Sequence, residues 1–83
     1  MITAEELYHT LHRKPFQPFR IHVTDGRVFD IRDERLSVVG ETYFSIGIPV
    51  PGETLPICDY TVTLPLDYIA RVEILETTAT PAA

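Results

Sequence analysis

The chain has little of what would staple a small protein covalently or anchor it in a bilayer. Cys58 is the single cysteine in 83 residues, so no internal disulfide is available and a stapled, secreted miniprotein is excluded. Tryptophan is absent and glycine is scarce, at four residues. No apolar run approaches the roughly 18 residues that a membrane-spanning helix needs. The opening stretch, Met1 to Lys14, lacks the basic-then-apolar order of a secretory leader. A cytoplasmic location without membrane association is therefore expected. A chain of this length buries only about 60% of the surface its unfolded form exposes, which limits it to one domain.

What is present is a globular composition with an uneven charge. Hydrophobic residues make up 45%, too many for a disordered chain. The net charge of −5 is carried by the second part of the sequence. Residues 1–35 balance Arg13, Lys14, Arg20, Arg27, Arg32 and Arg35 against as many acids, whereas residues 36–83 set only Arg71 against six. A negative average field repels phosphate backbones, which restricts any nucleic-acid contact to a local patch.

Local signals outline the elements. Thr3-Ala4-Glu5-Glu6 is a capping-box pattern, with Ile2 and Leu7 placed as a hydrophobic staple. Leu7 and Leu11 share one face, His12, Arg13 and Lys14 suit a helix C-terminus, and Pro15 stops it; a helix is expected over 4–14. The connector from Lys14 to Phe19 holds two prolines and cannot be a central strand.

Phe19 to Ile31 reads as a hairpin whose side chains choose the turn. A two-residue Asp25-Gly26 loop would set Ile21 opposite Asp30. A three-residue loop, Thr24-Asp25-Gly26 with Gly26 left-handed, sets Ile21 opposite Phe29, Phe19 opposite Ile31 and Arg20 opposite Asp30, which is the pairing expected. Phe19, Ile21, Val23, Phe29 and Ile31 then form one inner wall. Further strands are expected at 36–39, 43–48, about 58–64 and 69–75, with a tight turn at 40–42, a proline-rich loop at 49–56 and one 3-10 turn at 65–68. The ordered domain spans 1–76, and 77–83 is expected to be a frayed tail.

This order, a helix followed by a bent run of five to six strands with a 3-10 turn before the last, resembles the Sm-like fold over residues 2–75. The segment Phe19 to Val28 looks like the first two strands of the bacterial Sm-like RNA chaperones. The same hairpin, preceded by Pro15-Phe16-Gln17-Pro18-Phe19, also resembles a group of short bacterial proteins without an assigned activity. The resemblance implies an α+β, mainly β fold: an N-terminal helix on a small SH3-like barrel, with assembly by edge strands. It also implies RNA binding, but Leu64-Pro65-Leu66-Asp67-Tyr68 stands where the chaperones carry a lysine-histidine pair, which removes their main RNA site.

Several groups are candidates for function. Tyr43, Ser45, Arg71 and Glu73 mark the strands expected to be assembly edges, since unpaired strand edges are commonly closed by a second copy. Arg13, Lys14 and Arg20, with His12, would make a phosphate-contact patch; the competing account is a solvated helix end plus an Arg20–Asp30 pair worth about 0.2–1 kcal/mol. Val50 and Leu55 could present apolar contacts to a partner from a proline-stiffened loop. Tyr43, Tyr60 and Tyr68 suit either base stacking or half-buried strand positions. His9, His12 and His22 are the available metal ligands, but no thiol or carboxylate completes a set in sequence, so no metal or cofactor is expected. Ser37, Ser45 and Cys58 lack a nucleophile context, and Asp30, Asp33 and Glu34 lack an evident cleft. Cys58 is expected to face inward with Tyr60 and Val62. A non-catalytic, self-associating interaction module follows, with an Sm-like RNA binder as the alternative.

Overall fold

In the computed structural model, residues 1–75 are described; the expected tail at 77–83 lies outside them. Helix α1 (Ala4–Leu11) begins with the capping box: Thr3 Oγ1 accepts from Glu6 N–H at 3.1 Å, and the Glu6 carboxylate accepts from Thr3 N–H at 2.9 Å. That bond from the Thr3 backbone holds the Glu6 carboxyl below its ordinary range. The helix stops three residues short of the expected end at Lys14. His12 caps it by donating to the Tyr8 carbonyl, and its ring lies 4.4 Å from that of Tyr8. Pro15 bars Lys14 from helical geometry, and Phe16 must return to pack against the core.

The hairpin of β1 (Phe19–Val23) and β2 (Val28–Ile31) has the register its side chains chose, with Ile21 opposite Phe29 and Arg20 opposite Asp30. Gly26 takes φ +96° in the three-residue loop, a conformation that favours glycine. A 3-10 turn (Glu34–Leu36) then leads into β3 (Ser37–Val39), β4 (Tyr43–Pro49) and β5 (Cys58–Pro65). A second 3-10 turn (Leu66–Tyr68) leads into β6 (Ile69–Ile74).

The strands form two antiparallel three-stranded sheets, in the orders β2-β1-β6 and β3-β4-β5. The sequence reading of a closed barrel is corrected accordingly. No ladder joins β2 to β3 or β5 to β6 among the described residues, because a 3-10 turn occupies each crossing and interrupts strand pairing there. The first of these turns went unread in the sequence. Asp33 caps it through a bond from the Arg35 N–H.

Neither sheet buries a face alone; they share one core. Leu7 and Leu11 descend from the helix, Phe19, Ile21, Val23 and Ile31 from one sheet, and Phe44, Ile46 and Leu64 from the other. Leu66 and Ile69 fill the second crossing. The rings of Phe19 and Phe44 stack with centroids 6.5 Å apart, which ties sheet to sheet. Of the expected inner wall, Phe29 alone is only half-buried, and the Arg27 guanidinium covers its ring at 5.6 Å. Truncating a buried phenylalanine typically costs about 3–5 kcal/mol, against a total of roughly 4–12 kcal/mol for a domain of this size. Phe44→Ala is thus expected to lower the urea midpoint sharply or leave the chain unfolded, as read by circular dichroism.

Candidate functional site

The backbone bonding of the second sheet defines its open edge. Leu66 N–H donates to the Thr42 carbonyl at 3.0 Å, in the register that sets Phe44 opposite Leu64 and Ile46 opposite Val62. Bonded and non-bonded pairs alternate along an antiparallel ladder. Residues Tyr60, Val62 and Leu64 therefore aim their amides and carbonyls at β4, while Thr61 and Thr63 aim theirs outward. The other side of β4 agrees: Gly40 N–H donates to the Tyr43 carbonyl at 2.8 Å, so Tyr43, Ser45 and Gly47 bond toward β3. Strand β4 is paired on both flanks. Among the described residues, nothing pairs with the outer flank of β5.

This corrects half of the expected assembly edge. Tyr43 and Ser45 lie on the central strand and have no backbone groups to spare. Tyr43 instead lays its ring over Gly40, where a Cβ would overlap it. Ser45 shares a hydrogen bond with Thr63 across the sheet at 3.2 Å. Arg71 and Glu73 do lie on an edge strand, β6. Their side chains belong to a charged row on the outer face of the first sheet, where Glu73 meets His22 Nε2 at 2.9 Å and Arg71 at 3.9 Å. The hydrogen bond with His22 holds the Glu73 carboxyl below its ordinary range, with Arg71 and Arg20 adding to it.

The expected cationic patch is divided among carboxylates. Lys14 Nζ donates to Glu34 at 2.9 Å, and Arg20 grips Asp30 with two bonds, at 2.6 and 3.1 Å. Only Arg13 makes no ion pair among the described residues. The acidic cluster is spent in the same way. Hydrogen bonding to Arg20, reinforced by Arg32, lowers the Asp30 pKa, and Arg35 lowers that of Asp33 through its side chain and backbone. These shifts run opposite to those of a general acid poised near neutrality.

The remaining candidates are exposed or dispersed. The loop beyond β4 is ordered by a turn at Val50-Pro51-Gly52-Glu53, closed by Glu53 N–H to the Val50 carbonyl at 3.1 Å, with Gly52 at φ +80°. Leu55 is 60% exposed at its far side, while Val50 is half-buried. Ile57, which the sequence reading passed over behind Pro56, is also exposed. Tyr60 is 57% exposed because β5 outruns the core it was expected to complete. A bulge opposite Ile48/Pro49 turns Cys58 out of the Tyr60–Val62 row, so it is exposed rather than inward-facing. Tyr68 is exposed too. His9 and His12 flank Tyr8 on the helix, whereas His22 sits in the charged row. No group of three ligating side chains gathers among the described residues. Asp30 and Asp33 do line a cleft, with Ile31, Leu36, Ser37 and Gly47, but at about 130 Å³ it falls below the usual size of small-molecule sites. A shallower depression of about 680 Å³ lies between Ile2, Thr42, Pro65 and Asp67.

No helix of the described residues is long and apolar enough to cross a membrane. No family model, curated protein or solved structure matches the chain.

Asp30, Asp33 and Glu73 all have folded-state pKa values below the ordinary ones. Such groups stabilise the fold above an unfolded pKa of about 4, and the contribution is lost as pH falls through the folded pKa. The urea midpoint should hold near neutrality and drop below about pH 4, with Arg20→Gln flattening that drop. A midpoint indifferent to acid would contradict the charged row.

Proposed function

We propose that this chain is a small non-catalytic interaction module that self-associates through the outer edge of β5. One observation carries the reading. The stretch Tyr60–Pro65 presents the outward amides and carbonyls of Thr61 and Thr63 and contains no charged side chain. Natural sheets blunt such edges with charges, prolines, bulges or brevity. Strand β3 spans only three residues and β2 four. Strand β6 carries Arg71 and Glu73 and pairs with β1 through an irregular register at His22/Val23. Past the bulge at Asp59, β5 has none of these guards until Pro65.

The order of elements supports the Sm-like likeness at the level of a helix, two small sheets and a 3-10 turn before the last strand. That likeness favours assembly over chemistry. RNA binding through Arg13, Lys14 and Arg20 is the weaker reading, since two of these cations already hold carboxylates. Retardation of mixed RNA at low salt, abolished by changing the three to Glu, would revive it.

Light scattering across a concentration series is expected to show a mass above that of the monomer. Thr61→Lys places like charges at the joint and should return the protein to monomer with its circular dichroism unchanged. A wild-type chain that stays monomeric at high micromolar concentration sinks the proposal.

A further inference from the structure

The open edge of β5 leaves the kind and direction of its partner to be read from its own side chains. We infer that the partner is the β5 strand of a second copy, joined antiparallel about a two-fold axis that passes through Val62. The inference rests on the reading that the β5 edge is the contact.

The backbone selects the register. An antiparallel partner must place its own outward-facing residues opposite Thr61 and Thr63, because only bonded pairs exchange amides and carbonyls. Centring the axis on Thr61 would oppose Thr63 to Asp59, the extra residue of the bulge, whose ladder geometry is disrupted. Centring it on Thr63 would oppose Thr61 to Pro65, which has no N–H to give. Centring it on Val62 sets Thr61 opposite the second copy's Thr63 and the reverse. All four outward threonine positions are then used, without the bulge or the proline.

The side chains agree with that choice. On the outer face, threonine meets threonine, beside the hydroxyl pair that Ser45 and Thr63 already form. On the inner face, Val62 meets Val62 and the exposed Tyr60 lies opposite Leu64 of the second copy, an aromatic-aliphatic cross-strand pair. Asp59, the only charge on β5, faces Pro65 of the second copy. The two Asp59 side chains stand about six residues apart along the strands, roughly 20 Å and beyond the ~10 Å screening length at 0.1 M salt. Pairing β5 with β6 instead would set the charged Arg71 and Glu73 beside the uncharged Tyr60–Leu64 stretch, where they gain no new ion pair.

Residues on a two-fold axis meet their own copies, so cysteine scanning reads the register directly. In a Cys58→Ser background, Val62→Cys sets its Cα about 4.5 Å from its twin, within disulfide range, and oxidation should link most of the protein into a covalent dimer. Thr61→Cys and Thr63→Cys alone should stay largely unlinked, while the exposed double variant Thr61→Cys/Thr63→Cys should link even where Val62→Cys disturbs folding. Linkage through Thr61→Cys or Thr63→Cys alone overturns the register, as does failure of both Val62→Cys and the double variant to link. An assembly heavier than a dimer points to a heterologous, head-to-tail contact and overturns the two-fold. In those three cases the proposed function survives; a monomer at every concentration removes both.

Discussion

The stacked contact between Phe19 and Phe44 is the constraint on which the rest of this structure depends. A three-stranded sheet with one apolar face is not stable exposed, and this chain has two of them with only one short helix to cover either. They solve the problem by facing each other. Leu7 and Leu11 seal the gap from the helix, and the 3-10 turns carry the chain from one sheet to the other. Because the core is small, it closes around the middle strands β1 and β4, and the outer strands run past it. The loss of burial along β5, from Leu64 through half-buried Val62 to exposed Tyr60, is the direct result.

Charge is distributed in keeping with this division. The outer face of the first sheet carries a row of ion pairs running from Arg32 through Asp30 and Arg20 toward Glu73, His22 and Arg71. Ion pairs on an exposed face contribute little stability, but they make that sheet a poor template for another strand. The second sheet has hydroxyls where the first has charges: Ser45, Thr61 and Thr63. The first sheet is guarded by charge, short strands and an irregular register, whereas the β5 edge of the second sheet has none of these between Tyr60 and Leu64.

Much of the fold was legible because local chemistry dictated it. The capping box set the start of α1, and the Gly26 loop with its flanking alternation set the register of the first hairpin. What the sequence could not show was which strands neighbour which. The alternation of Phe44, Ile46 and Ile48 says that β4 has an inner face, and it is silent on whether one flank or both are paired. The single hint was Gly47, a glycine inside a strand, which often marks close approach of another backbone; the Leu36 carbonyl and Cys58 Sγ do crowd it. Cys58 was misplaced because one bulge residue reverses the face of everything beyond it. The basic patch failed for a related reason, since Glu34 and Asp30 come to Lys14 and Arg20 only through the fold.

The two crossings between the sheets bear on how the molecule comes apart. Each is a single 3-10 turn, and the second is pinned at both ends, by Leu66 N–H to Thr42 and by Thr24 N–H to the Tyr68 carbonyl. So short a tether opposes the drift of either sheet while the other stays intact, which favours melting as a single cooperative event over a peeling of layers. The outward groups of Thr61 and Thr63 exist as an ordered edge only in the intact molecule. Any ligand of that edge therefore draws on the folding equilibrium of the whole chain, and were that ligand a second copy, thermal stability would rise with protein concentration.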